Sequence, residues 1–360
     1  MASIWAVCKD PGGTGNLLPI LPLLRKAGHD VKLFLHAGGK GETGIKTAGE
    51  AYETASNTSA PIDRHGYPDL LVTTMCSGGG IGRDLVPTLQ YRGKRTVALQ
   101  DFWGAQLGTN FRNPLYHPDL ICVNDEVGAD IVRDVWGKDI RTKIAITGYP
   151  SFDALARIDR EAGAKRGREV LGITNNLPIL LYPGQIWHAG RTLLEVVKAL
   201  NEMGLPCHLV ATKHGRMVEA PAEEGEFWQE AEGSFRWKFH SVTDFRHIRE
   251  IVLTSRVVVG MYSSLQIEAA ALGVQVISVL YPDQGAAQFR TDTGGVMAEF
   301  PLVTLGCSAK AENMGDLVRS LFAYLTLTSD LEPRTRQQQK VFPLDGRNAE
   351  RTADAILSLL

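Results

Sequence analysis

The chain has 360 residues, 44% of them hydrophobic and 22% charged, and its 38 Lys and Arg nearly balance 40 Asp and Glu for a formal net charge of −2. That length suggests two domains with ordinary globular cores, and the charge balance excludes a global field drawing the protein to nucleic acid or anionic lipid. The five cysteines (Cys8, Cys76, Cys122, Cys207 and Cys307) form no C-x-x-C pair and no Cys/His cluster of zinc spacing, which fits a reducing compartment.

The N-terminus, MASIWAVCKDPGG, has no basic leader and only a short apolar run, so it reads as a first strand and not a signal peptide. No window is long enough to cross a bilayer, and a cytoplasmic protein is expected. Apolar, β-branched runs follow at Ile4–Val7, Val31–Leu35, Leu70–Thr73, Thr96–Leu99, Leu120–Val123 and Lys143–Thr147, with helical stretches such as Leu17–Ala27 and Val127–Val135 between them. Runs without strict alternation belong to strands covered on both faces, and this rhythm predicts a doubly wound parallel sheet.

At TGYPSFDALARIDREAGAKRGREVLGI the pattern becomes a turn and a charged helical stretch of little apolar moment. We take residues 1–150 as a first Rossmann-like domain and 151–178 as a linker. The rhythm restarts at Ile179–Tyr182, Thr192–Met203, Cys207–Ala211, Arg236–His240, Val257–Gly260 and Val274–Val279, giving a second Rossmann-like domain over 179–343 and a closing amphipathic helix over 344–360. The acidic segment Ala220–Gly233 reads as a solvated helix or loop.

Three glycine-rich turns lie in the first half. Gly12, Gly13, Thr14, Gly15 and Asn16 follow the first strand and precede a helix, an arrangement that lets an anion approach the backbone, or that simply makes a tight turn. The G-x-G-x-x-G at Gly39–Gly44 follows the second strand and reads as a flexible loop, and CSGGGIGRD follows the strand Leu70–Thr73. Asp101 sits at a strand tip before Phe102 and Trp103, where rings would desolvate a general base; a turn or cap role is the plain alternative.

In the second half, VVVGMYSSLQIEAAALG places Ser263, Ser264 and Leu265 on the first turn of a helix and Glu268 one turn further in. Free N–H groups there suit a diphosphate, and the carboxylate suits the vicinal hydroxyls of a ribose; otherwise Ser263 caps the helix and Glu268 supports the cap. Gln185, His188 and Arg191 follow the strand Ile179–Tyr182, with His188 and Arg191 able to meet a diphosphate. Asp283, Gln284 and Gln288 follow the strand Val274–Val279 and suit a hydroxyl-rich ligand.

These motifs, in this order, resemble the GT-B glycosyltransferase superfamily over nearly the whole chain. The opening, with Gly12–Gly15, Pro19 and AGHDV, is similar to the N-acetylglucosaminyltransferase of peptidoglycan synthesis. IAITGYPSFDAL, YSSLQIEAAALG and DGRNAERTADAIL are similar to motifs of the UDP-N-acetylglucosamine 2-epimerases. The resemblance implies two Rossmann-like domains facing across a cleft that closes to exclude water, with the C-terminal helix crossing back to the first domain. It sets Ser263 and Ser264 on the diphosphate and Glu268 on the ribose. The epimerase segments H-R-x-E-N and H-G-D-T are absent, Tyr262 and Ile267 replace a serine and a glutamate, and Asn16 and Leu17 stand where the transferase has its histidine.

The expected function is transfer of a sugar from a nucleotide-diphosphate donor, a UDP-sugar first among them, to a hydroxyl acceptor. Asp101 would be the base, the first domain would hold the acceptor and the second the donor. No metal and no cofactor are expected, the nucleotide-sugar being a co-substrate. A UDP-sugar 2-epimerase-like isomerase or hydrolase, and a sugar-binding or regulatory protein with a dead site, are the alternatives. Glycosylation of a modified nucleic-acid base is a further one; it would need a local groove through Arg83, Arg92, Lys94, Arg95 and Arg112.

Overall fold

Ser3–Cys8 (β1) is buried from Ile4 onward, as a strand must be when helices cover both faces of its sheet. In the computed structural model, which describes residues 1–104, 106–138, 140–214, 217–326 and 332–360, the chain divides into two units. The first comprises Met1–Arg157, Asp292–Ala298 and Asp345–Leu360, and the second Ile158–Thr291 and Glu299–Leu344.

In the first unit β1 is followed by α1 (Pro11–Leu17), α2 (Leu21–Lys26), β2 (Asp30–His36), α3 (Glu42–Thr47), β3 (Glu53–Ala55), α4 (Ser59–His65) and β4 (Leu70–Thr74). Then come α5 (Ile81–Tyr91), β5 (Arg95–Leu99), β6 (Leu120–Val123), α6 (Glu126–Trp136) and β7 (Lys143–Ile146). Among the described residues the strands form a seven-stranded sheet in the order β3-β2-β1-β4-β5-β6-β7, every pair parallel. Strand order therefore reverses between β1 and β4, and the loops leaving the C-terminal ends of these two strands border the crevice where such sheets take ligands.

The second unit contains α7 (Arg160–Leu171), β8 (Ile179–Pro183), α8 (Ala189–Met203), β9 (His208–Thr212), α9 (Ala222–Ser234), β10 (Lys238–Val242), α10 (Ile248–Thr254), β11 (Val257–Gly260), α11 (Ser264–Ala271) and β12 (Gln275–Val279). After them come α12 (Gly285–Asp292), α13 (Pro301–Thr304), β13 (Ala309–Ala311), α14 (Met314–Thr326) and α15 (Glu332–Val341). Its six described strands are parallel in the order β10-β9-β8-β11-β12-β13, with the reversal between β8 and β11.

The closing helix α16 (Asn348–Leu357) belongs to the first unit, as expected of a segment that returns there. Its apolar stripe, Ala349, Ala353 and Ile356, joins the core made by Leu17, Ile20 and Leu21. Full burial of a side chain such as Ile356 contributes roughly 1.5–3 kcal/mol. The other end of the helix is fixed by Asp153, whose Oδ1 accepts from Asn348 N at 2.9 Å and whose Oδ2 accepts from Ala349 N at 2.8 Å.

Four local expectations change. The stretch Gly12–Asn16 is helical, because Pro11 at the first position and the Thr14 N–H bond to Asp10 O (3.0 Å) start a helix there. Pro19 and Pro22 then interrupt the expected helix Leu17–Ala27, leaving a 3₁₀ turn over Leu18–Ile20 before α2. The loop expected at Gly39–Gly44 is a turn that passes into α3 at Glu42. The acidic segment Ala220–Gly233 is not simply solvated: α9 buries Glu224 and Trp228 against α8.

Candidate active site

In the first unit the chemistry gathers where β1, β4, β5 and β6 end. Asp101 follows the tip of β5, and its carboxylate lies over the first turn of α1, where Gly13 N–H donates to it. A Cβ on Gly12 would fall on the Asp101 carboxylate, and one on Gly13 would stand 2.7 Å from Thr74 Cβ. Neither glycine has a positive φ, so glycine is required here for close approach and not for the backbone conformation. Desolvation, and then the neighbouring Asp10 carboxylate, raise the Asp101 pKa to about 6, against the lowering effect of the Gly13 N–H.

Asp10 is itself fixed. Its Oδ2 accepts from Ser77 N at 2.7 Å and Ser77 Oγ at 2.9 Å, while Lys9 Nζ donates to Ser77 O (2.7 Å) and Gly79 O (3.3 Å). Lys9 and Asp10 thus tie the turn after β4 to the tip of β1. On the other side, Asn124 Nδ2 donates to Asp101 O at 3.4 Å. Asp125 caps α6 through Gly128 N (2.8 Å) and accepts from the buried Trp103 Nε1 at 2.7 Å, which anchors the segment that carries Asp101. Burial raises the Asp125 carboxyl above its ordinary range.

Of the other residues expected on the acceptor loop, Thr14 and Asn16 turn inward. Thr14 Oγ1 donates to Asp10 O at 2.9 Å; Asn16 bridges Gln100 O (3.3 Å) and Ser151 N (3.2 Å). A Cβ on Gly15 would stand 3.8 Å from Ser151 Cβ. The basic residues considered for nucleic acid are partly neutralised. Arg83 bonds Asp84 at 2.7 Å and lies over the Tyr116 ring, Lys94 bonds Asp69 at 3.0 Å, and Arg92 lies over Tyr67. Arg95 and Arg112 are exposed.

In the second unit the first turn of α11 carries a reciprocal cap. Ser263 Oγ accepts from Leu265 N at 3.2 Å and Gln266 Oε1 accepts from Ser263 N at 2.8 Å. The wholly buried Gln266 also donates to Gly260 O and Ile277 O, locking β11, α11 and β12 together. Ser263 therefore caps, and Ser264 is the exposed serine of the pair. Glu268 points to Arg249, whose Nε donates to Glu268 Oε2 at 3.2 Å.

Gln185 and His188 lie on the loop after β8, and His188 opens α8 in the left-handed region at φ 56°. The α8 amides that would face an anion already have a partner: buried Glu224 accepts from Gly190 N at 2.7 Å and from Arg191 N at 3.4 Å. The Arg191 side chain meets Asp283 at 3.6 Å, so the structure joins these two expected donor residues. Gln284 is buried with its Oε1 unpartnered among the described residues, and Gln288 sits one turn further along α12. Sequence reasoning missed Asp10, Ser77, Asn124, Asp125, Glu224 and Arg249. Asp10, Asn124 and Asp125, each within two residues of a strand's end, carried a local signal.

Among the described residues no group of three or more His, Cys, Asp or Glu is placed to hold a metal ion, and no helix is long and apolar enough to cross a membrane. No family model and no curated protein sequence matches the chain. Solved structures do match over its whole length. An S. aureus MnaA–UDP co-structure is 14% identical with a TM-score of 0.69, covering 100% of this chain and 98% of that one. UDP-GlcNAc 2-epimerase from Neisseria meningitidis, bound to UDP-GlcNAc, is 13% identical with a TM-score of 0.68, covering 99% and 100%. Acinetobacter baumannii MurG is 12% identical with a TM-score of 0.62, again covering 99% and 100%. With two parallel Rossmann-like sheets, a C-terminal helix returned to the first unit and these structural relatives, the chain has the GT-B fold.

Proposed function

We propose that the chain is a metal-independent glycosyltransferase that moves a sugar from a nucleotide-diphosphate donor, a UDP-sugar first among candidates, to a hydroxyl acceptor. Asp101 carries the reading. A carboxylate held over the glycine-rich turn of α1, with a pKa raised to about 6, is ionised at neutral pH and basic enough to take a proton from an attacking hydroxyl. In the step, that proton passes to Asp101, the acceptor oxygen bonds the anomeric carbon, and the bond from that carbon to the diphosphate breaks.

The second unit supplies the donor groups. The start of α11 suits the diphosphate through the exposed Ser264, the Leu265 and Ser263 amides being engaged by the cap, and Glu268 suits the ribose. Arg191 and His188 would take up charge on the leaving group, as preorganised donors do where charge develops. Asp283, Gln288 and the unpartnered Gln284 Oε1 suit sugar hydroxyls. That relatives of the same fold were solved with UDP or UDP-GlcNAc supports a uridine nucleotide.

The test is a thermal-shift panel of UDP, GDP, CDP and their sugars on wild type and Asp101→Asn, followed by transfer assays. A selective shift in both proteins, with turnover in wild type alone, is expected. No shift with any nucleotide overturns the reading. The pair Asp10 and Asp101 also suits proton abstraction from a sugar, the chemistry of an epimerase. Release of epimer or free UDP from UDP-N-acetylglucosamine without an acceptor would favour that second reading.

A further inference from the structure

We infer that Arg249 is the positioning residue for the carboxylate that reads the donor's ribose; this rests on the donor-binding reading of Glu268. Arg249, in the first turn of α10, donates from Nε to Glu268 Oε2 at 3.2 Å. No bond to Glu268 Oε1 occurs among the described residues. Both side chains line a cavity of about 690 Å³ together with apolar residues such as Phe245 and Leu253 and charged ones that include Arg166 and Arg246. A volume of this size holds a nucleoside.

The physical need is plain. Glu268 is followed on α11 by Ala269, Ala270 and Ala271, none of which offers its carboxylate a side-chain partner. An unbound glutamate would have to be ordered by the ligand it recognises, and that ordering subtracts from affinity. A guanidinium Nε–H fixes one oxygen in direction as well as distance and leaves the other to accept from a hydroxyl. As an ion pair the contact does little for stability, since the Arg249 and Glu268 side chains keep 38% and 24% of their surfaces exposed. Its consequence is in recognition.

The role is tested by calorimetric titration of UDP and GDP, and of their 2′-deoxy counterparts, into the full chain. Wild type, Arg249→Gln, Arg249→Lys, Glu268→Gln and the double variant Arg249→Gln/Glu268→Gln are compared. Wild type should prefer the ribonucleotide by about tenfold or more, the discrimination of a hydrogen bond to a charged group. Arg249→Gln should bring that ratio close to the one left in Glu268→Gln, with an unchanged melting temperature. Arg249→Lys should fall between, and the double variant should lose no more than Glu268→Gln alone. If Arg249→Gln keeps the full ratio while Glu268→Gln loses it, the inference fails and the donor reading stands. If wild type binds no nucleotide, or shows no ribose preference, both fail.

Discussion

The Asp101 carboxylate rests against the α-carbon of Gly12, on the space a Cβ at residue 12 would need. The glycine-rich turn thus makes room for a side chain from the tip of β5, in addition to anything a ligand would ask of it.

Gly12→Ala should therefore act through Asp101. Gly12 has no positive φ, so alanine is tolerated by its own backbone, and the carboxylate must move instead. Misplacing a catalytic group by about 1 Å costs on the order of 10²-fold in rate. Steady-state kinetics should show kcat falling by that order while circular dichroism stays unchanged. A variant with wild-type kcat would remove Asp101 from the reaction.

The pKa of Asp101 makes two linked predictions of opposite sign. As a base it works ionised, so kcat/KM should rise with pH through about 6 and level off above 7. Asp10→Asn removes one cause of the raised pKa and should carry that limb to lower pH. For stability, the folded state holds the proton more tightly than the unfolded chain. The stability of the protonated form is thus present below the ordinary value of 3.8 and is lost as pH rises to about 6. Asp101→Asn should be inactive yet more stable at pH 7, by up to about 3 kcal/mol from the pKa difference. Urea denaturation at pH 7 and pH 4 measures this, and a destabilised Asn variant at pH 7 would contradict it.

Asp153 should matter for stability out of proportion to its size. It accepts from two amides at the start of α16 and is buried. Loss of an N-cap costs about 0.5–2 kcal/mol, and unsatisfied buried amides raise that figure. Asp153→Ala should therefore lower the denaturation midpoint clearly, with Asp153→Asn intermediate. Equal midpoints for all three would show that the cap is dispensable.

His240 should make the second unit acid-sensitive. Burial first, then His208 with its ring nitrogen 3.0 Å away, and Lys238, lower its pKa to about 4. The unfolded chain takes up a proton near 6.5 that the folded chain refuses until about 4, so stability is lost as pH falls across that window. His240→Gln should flatten the slope between pH 6.5 and 4 in denaturation curves. An unaltered slope would mean that other groups set it.

Transfer should also survive chelation. If backbone amides and Arg191 stabilise the leaving diphosphate, EDTA should leave the rate within about twofold of its original value, since oxyanion-type donors need no ion. Loss of activity in EDTA with recovery on adding Mg²⁺ would replace that part of the mechanism.

How much of this was readable in the chain depends on distance along it. The helix starts at Gly12–Asn16 and Ser263–Leu265 were visible as small-residue segments just after a strand, although the first was read as a turn and is helical. Their side-chain roles were not. Asn16 spends its amide on Gln100 and Ser151, at separations of 84 and 135 residues. Ser263 was legible as a helix cap, because its partners Leu265 and Gln266 lie within one turn. Glu224 looked like one acid among several in Ala220–Gly233, and only the approach of α8 singles it out, through Gly190 34 residues away.

By itself the sequence determined the two parallel sheets. A strand covered on both faces must be apolar at successive positions, and most of the runs from Ile4 to Val279 meet that condition without reference to anything distant, the edge strands near Lys143 and Lys238 excepted. The tertiary structure alone decided that Asp101 lies beside Gly12 and Asp10, that Asp153 caps a helix 195 residues later, and that Arg249 holds Glu268. Burial and charge act through space, so a carboxylate becomes a base, a cap or a ligand group only when the folded chain has set its neighbours.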